Sequence, residues 1–113
     1  QDILASKEMY LGRHYMKKGK WIAAINRFKV VTKEYDQTVF IEEALHRLVE
    51  INYKRGLVDE SQKYANILGY NYLSSEWYKK SYRIFNQNYK VKLDRTIKKD
   101  KKGVLEKFKK LFD

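Results

Sequence analysis

The chain of 113 residues is one domain's worth, and its 43% hydrophobic content, with 15% aromatic, supports a modest core. It has no cysteine, which excludes a disulfide framework, a thiolate nucleophile and a sulfur-ligated metal, and its apolar runs are too short to cross a membrane. The formal charge of +11 raises nucleic acid as a partner, but residues 90–113 hold ten Lys or Arg against four acids and no basic stripe carries interleaved stacking aromatics, so nucleic acid is not expected.

Five helical segments follow from the 3.6-residue apolar period. The first spans 2–18, with Met9, Leu11, Tyr15 and Met16 inward or on an edge, and Gly19 stops it because a left-handed residue after a last turn is easiest for glycine. The second, 21–35, carries the stripe Trp21, Ala24, Ile25, Phe28, Val31, Tyr35. Thr38 is placed to cap the third, whose first turn holds Glu42 and Glu43 at the favourable end of the helix dipole. Its stripe is Ile41, Ala44, Leu45, Leu48, Val49, and Gly56 stops it. Asp59 and Glu60 open a fourth helix that buries Tyr64, Ala65 and Leu68 and ends at Gly69. Ser74 or Ser75 caps a fifth, about 76–88, whose Trp77, Ile84 and Phe85 cover the exposed end of the preceding pair. Beyond Tyr89 the composition turns lysine-rich. Val104, Leu105, Phe108, Leu111 and Phe112 then fall on one helical face, a short amphipathic segment that needs some surface to fold against. The expected organisation is therefore a helical domain over 1–89 and a basic tail over 90–113.

The spacing Leu11-Gly12, Tyr15, Gly19, Ala24, Phe28 is the skeleton of a tetratricopeptide repeat. Gly12 and Ala24 are small where two antiparallel helices cross, and Leu11, Tyr15 and Phe28 fill the seam around them. Two positions depart: Glu8 stands in the tryptophan slot and Asp36 in the proline slot. Gly19 and Gly56 lie 37 residues apart, against about 34 for a basic repeat, so the linker at 36–39 has gained a short loop. The fold class is all-α, a tetratricopeptide-repeat solenoid of two helix pairs plus a capping helix.

Longer runs are narrower still. Met9-Tyr10-Leu11-Gly12-Arg13-His14-Tyr15, Lys20 through Phe28 with its Ala-x-Asn-Arg stretch, Tyr35-Asp36-Gln37-Thr38 and Glu43-Ala44-Leu45 together resemble the BamD family, tetratricopeptide lipoproteins of the bacterial outer-membrane β-barrel assembly machinery. The resemblance covers roughly residues 5–80 and corresponds to the C-terminal two repeats of a five-repeat family, so the chain, which opens at Gln1, reads as a fragment or processed product. It implies a non-enzymatic role at the periplasmic face of the outer membrane and a lipid anchor outside this segment. It also implies docking on the POTRA domains of the barrel-forming subunit, alongside other assembly lipoproteins. Arg27 matches the family arginine that bridges to an acidic side chain of the membrane-proximal POTRA domain. A cytoplasmic tetratricopeptide adaptor and a basic nucleic-acid-binding helical domain are the alternatives.

On periodicity alone Arg27 is a solvated arginine beside the Phe28 stripe; the alternative is a partner contact, since a guanidinium grips a carboxylate with two donors, with Asn26 orienting it. Arg13, Lys17, Glu43, His46, Glu50 and Tyr53 fall on the faces of the first and third helices that line the concave side of such solenoids. They form either a mixed-charge peptide groove or an ordinary wet surface. His14 and His46 have no ligand-type neighbours at metal spacing, and no cofactor is implied. No glycine-rich phosphate loop is present, and the carboxylate pairs sit at helix starts, where the dipole accounts for them, so no enzyme activity is expected.

Overall fold

The computed structural model describes residues 1–85. Its elements are α1 (Asp2–Lys17), α2 (Trp21–Glu34), α3 (Ile41–Lys54), α4 (Val58–Asn71) and α5 (Glu76–Phe85), with no strand among the described residues. α1 packs on α2, α2 on α3, and α3 on α4, while α5 closes the end against both α3 and α4. This is the expected all-helical arrangement of two helix pairs and a further helix.

The two intra-pair turns are copies of one motif. Gly19 and Gly56 adopt φ of +71° and +79°. After α1, the Gly19 amide donates to the Met16 carbonyl at 3.0 Å and the Lys20 amide to Tyr15 at 2.9 Å. After α3, Gly56 donates to Tyr53 at 3.0 Å and Leu57 to Asn52 at 2.9 Å. Both ends are Schellman caps, which satisfy the last carbonyls and reverse the chain in three or four residues. A Cβ at either glycine would meet nothing within 4 Å, so space is not the constraint. Gly19→Ala and Gly56→Ala are each expected to lower stability by about 1–2 kcal/mol, through left-handed backbone strain alone. A melt in which either variant equals the parent would show that the turn does not require its positive φ.

The core lies in two layers joined by α3. Met9, Ala24, Ile25 and Phe28 pack with Ala44, Leu48 and Ile51 of α3, while Ile41, Leu45 and Val49 of α3 pack with Ala65, Leu68, Tyr78 and Tyr82. The single stripe expected for α3 is thus split between two partners. A helix in the middle of a solenoid buries two faces, and Glu43, His46 and Asn52 are buried on it as well. The Asn52 amide donates to the Leu48 carbonyl at 2.8 Å, and the Ser61 hydroxyl reaches across from α4 to the Val49 carbonyl at 2.7 Å. These bonds keep buried polar groups from costing stability.

Close crossings occur twice. A Cβ on Gly12 would lie 2.5 Å from the Phe28 ring, and one on Gly69 would lie 2.6 Å from the Tyr78 ring. Gly12 therefore serves the crossing expected of it. Gly69 corrects the expected helix stop: α4 runs on to Asn71, and this glycine makes room for an aromatic ring of the next helix rather than for a turn. One further expectation changes. Thr38 does not cap α3, whose N-cap is Phe40; its hydroxyl bonds the Tyr35 carbonyl at 2.7 Å and closes the end of α2 instead. In α5, Trp77, Ile84 and Phe85 pack half-buried against the end of the second core layer, as expected, and Tyr78, Ser81 and Tyr82 are buried beside them. Ser75 does cap α5, its Oγ accepting from the Trp77 amide at 3.1 Å. The expected extension of this helix to 88, the domain boundary at 89 and the tail face of Val104, Leu105, Phe108, Leu111 and Phe112 lie outside the described residues.

Candidate functional site

Two surface features are built on this frame. The first is on α2. Arg27 projects from the helix beside Asn26 and, with Tyr15, Ala23 and Val30, lines a cleft of about 220 Å³ between α1 and α2. Its Nη1 donates to Glu8 Oε2 at 3.2 Å, and the arginine side chain keeps 41% of its exposure against 20% for the glutamate. The residue that departs from the repeat pattern in the tryptophan slot is therefore the partner of the arginine. Glu8, rather than Asn26, orients Arg27; Asn26 is exposed next to it.

The second feature runs over α1, α3 and α5. Glu43, with a side chain only 11% exposed, is its hub. Arg13 of α1 grips it with two donors, Nε to Oε2 at 2.8 Å and Nη2 to Oε1 at 2.6 Å, and Arg47 adds Nε to Oε2 at 3.2 Å. Arg47 also reaches Glu50 Oε1 at 3.2 Å. Burial pushes the Glu43 carboxyl up, but the hydrogen bond and charge of Arg13, with Arg47 behind them, outweigh it and leave the group below its ordinary value. Arg13 is correspondingly raised, chiefly by its hydrogen bond to Glu43. This pairing ties α1 of the first helix pair to α3 of the second.

Beside it, Arg13, Met16, Lys17, Trp21, Arg47 and Lys54 enclose a cleft of about 210 Å³. Arg13, Lys17, Glu43 and Glu50 thus do come together as the periodicity predicts. His46 does not join them at the surface. It is 4% exposed, its Nδ1 lies 2.8 Å from the Ser81 hydroxyl of α5, and its ring packs 5.3 Å from that of Trp77. Burial lowers its pKa to about 4, with Glu50, Arg47, Lys80 and Glu43 contributing opposed charges, so the ring is neutral at physiological pH. Tyr53 is partly exposed and meets Phe85 edge to face at 5.5 Å, at the junction of α3 with α5.

Sequence reasoning missed the cations that sit over the indoles. Lys54 Nζ lies 5.7 Å from the Trp21 ring centre, Lys80 Nζ 4.3 Å from that of Trp77, and the Arg47 guanidinium 5.6 Å from the same ring. Only Lys80 and Trp77 share an element and stand near helical spacing; the other pairs join different helices and leave no local pattern. No cluster of metal-ligating residues occurs among the described residues.

Helix pairs reversed by Schellman glycines, knit through α3 and displaying paired charges on one side and the Arg27–Glu8 pair on the other, define a tetratricopeptide-type helical module. Over residues 1–68 the chain matches the YfiO family, described as outer membrane lipoprotein, and it belongs to that family. Its relatives are named outer membrane protein assembly factor BamD. The one from Rickettsia prowazekii is 52% identical over 83 residues, which is 74% of this chain and 33% of the relative. The one from Caulobacter vibrioides is 45% identical over 87 residues, 77% of this chain and 28% of the relative. That from Neisseria gonorrhoeae is 43% identical over 54 residues, 48% of this chain and 20% of the relative. The chain spans 33% and 28% of the length of the Rickettsia and Caulobacter relatives. No solved structure gives a significant match.

Proposed function

We propose that this module is a scaffold of outer-membrane protein assembly, which works by holding protein partners on helix faces and performs no chemistry of its own. The family match, with relatives named as assembly factors, supports the role. In this reading the module works at the periplasmic face of the outer membrane, held there by a lipid anchor outside these residues, and docks the POTRA domains of the barrel-forming subunit and other assembly lipoproteins. The observation that carries the docking surface is Arg27. Among the described residues Glu8 engages only its Nη1, so Nε and Nη2 are available, at the mouth of a cleft, to a second carboxylate.

The expected result is that Arg27→Ala weakens binding of the membrane-proximal POTRA domain, measured by calorimetry, by about 2–5 kcal/mol where the contact is desolvated. The melting temperature should move little, because the half-exposed pair with Glu8 contributes under about 1 kcal/mol. Arg27→Lys restores charge without the fork and should rescue binding in part. Equal affinity for all three proteins would make Arg27 a solvated surface residue and remove the docking surface.

A further inference from the structure

We infer that the face formed by α1, α3, α5 and the first residue of α2, around Trp21 and Trp77, is a docking groove for an extended, acidic polypeptide segment. This goes beyond the proposed POTRA contact, since the cleft at Arg27 and the cleft at Trp21 share no lining residue.

The argument begins with where the charges go. Glu43 and Glu50 are the acids paired on this face: Glu43 is engaged by Arg13 and Arg47, and Glu50 by Arg47. Among the described residues no carboxylate lies within ion-pair distance of Lys17, Lys54 or Lys80. The face is thus cationic with its own acids already used. The arginines are also held ready. Arg13 spends Nε and Nη2 on Glu43, and Arg47 spends Nε on Glu43 and Nη1 on Glu50, so Nη1 of the first and Nη2 of the second remain for a ligand. Guanidinium groups fixed in this way lose less freedom when they bind a carboxylate than free ones do.

The shape and the aromatic rings select the class of polyanion. The cleft of about 210 Å³ has room for a few side chains, and Met16 and Trp21 give it an apolar part that the stem of a Glu or a neighbouring aliphatic residue would cover. Stacking of nucleic-acid bases needs open ring faces. Here Lys54 stands over Trp21 at 5.7 Å, and Lys80 and Arg47 lie over Trp77 at 4.3 and 5.6 Å, so cations already compete for these ring faces. Carboxylates reaching those same cations need no open ring.

The chain has two tryptophans, and both stand on this face, so its emission is a built-in reporter. The test uses the full chain and a fluorescein-labelled dodecapeptide in which Glu alternates with Val and Ala, read by anisotropy and by tryptophan emission. Saturable binding with a change in tryptophan emission is expected. Combined Lys17→Glu and Lys54→Glu should weaken it by about tenfold or more, while Lys109→Glu with Lys110→Glu in the basic tail should change it by less than about twofold. Lys17 and Lys54 are exposed, and unchanged helical circular dichroism confirms that the variant folds. Loss that follows the tail variant instead of the groove variant would overturn the inference. So would tighter binding of oligothymidylate of equal charge, tighter binding of phosphatidylglycerol vesicles, or no binding of the peptide at all.

Discussion

Gly12→Ala should destabilise the protein by about 1–3 kcal/mol, a fall in melting temperature on the order of 10 °C. Two effects compete at this position. In a helix interior alanine is favoured over glycine by up to about 1 kcal/mol, which pulls toward stabilisation. The added methyl, however, would stand 2.5 Å from the ring of Phe28. That ring is fully buried in the layer shared by α1, α2 and α3 and has no solvent side into which to move. Overpacking therefore wins. The same reasoning holds for Gly69→Ala against Tyr78, at the other end of the molecule. The decisive measurement is a double-mutant cycle: Phe28→Leu, itself destabilising, should recover part of the loss in the Gly12→Ala background. Additive penalties, or a Gly12→Ala variant that melts with the parent, would show that the helices do not meet at this residue.

Acidification should produce the second large effect. His46 is neutral in the folded state, its pKa lowered to about 4 mainly by burial, and returns to its ordinary value of about 6.5 on unfolding. A folded-state pKa below the unfolded one means that the unfolded chain binds more protons between these values. The stability contributed by the neutral ring is therefore present above about pH 6.5 and lost as pH falls toward about 4. The full loss is about 3 kcal/mol, of which about 2 is gone by pH 5. Glu43 adds to the loss at the acid end, since its lowered pKa also makes the folded state bind fewer protons than the unfolded one. Urea titrations at pH 7 and pH 5 should show this fall, and His46→Gln should flatten it over that interval while the Glu43 contribution remains below it. An unchanged slope in His46→Gln would assign the acid sensitivity to other groups.

Much of the architecture was legible because it rests on local periodicity. Gly19 and Gly56 announced two helix ends, and both adopt the positive φ that makes glycine the fitting residue there. The stripe of α2, Ala65 and Leu68 of α4 and the serine ahead of α5 were equally readable, whereas in α4 Ser61 is buried and Tyr64, expected inside, is only partly so. Gly69 was misread by the same logic. A glycine at a helix end and a glycine under a ring look alike in one dimension, and only the position of Tyr78 distinguishes them.

The candidate surfaces divide along the same line. The sequence by itself determined that α1 and α3 present Arg13, Lys17, Glu43 and Glu50 on one side and that α2 presents Arg27 on another, because a helix fixes which of its residues share a face. It could not determine who pairs with whom. Arg13 meets Glu43 across 30 positions, Arg27 meets Glu8 across 19 and His46 meets Ser81 across 35. The helix-to-helix stacking set which of these groups are buried and which cations are left for a partner. An ion pair or a buried histidine is a property of two elements brought together, and the packing of α3 between its neighbours was what brought them together.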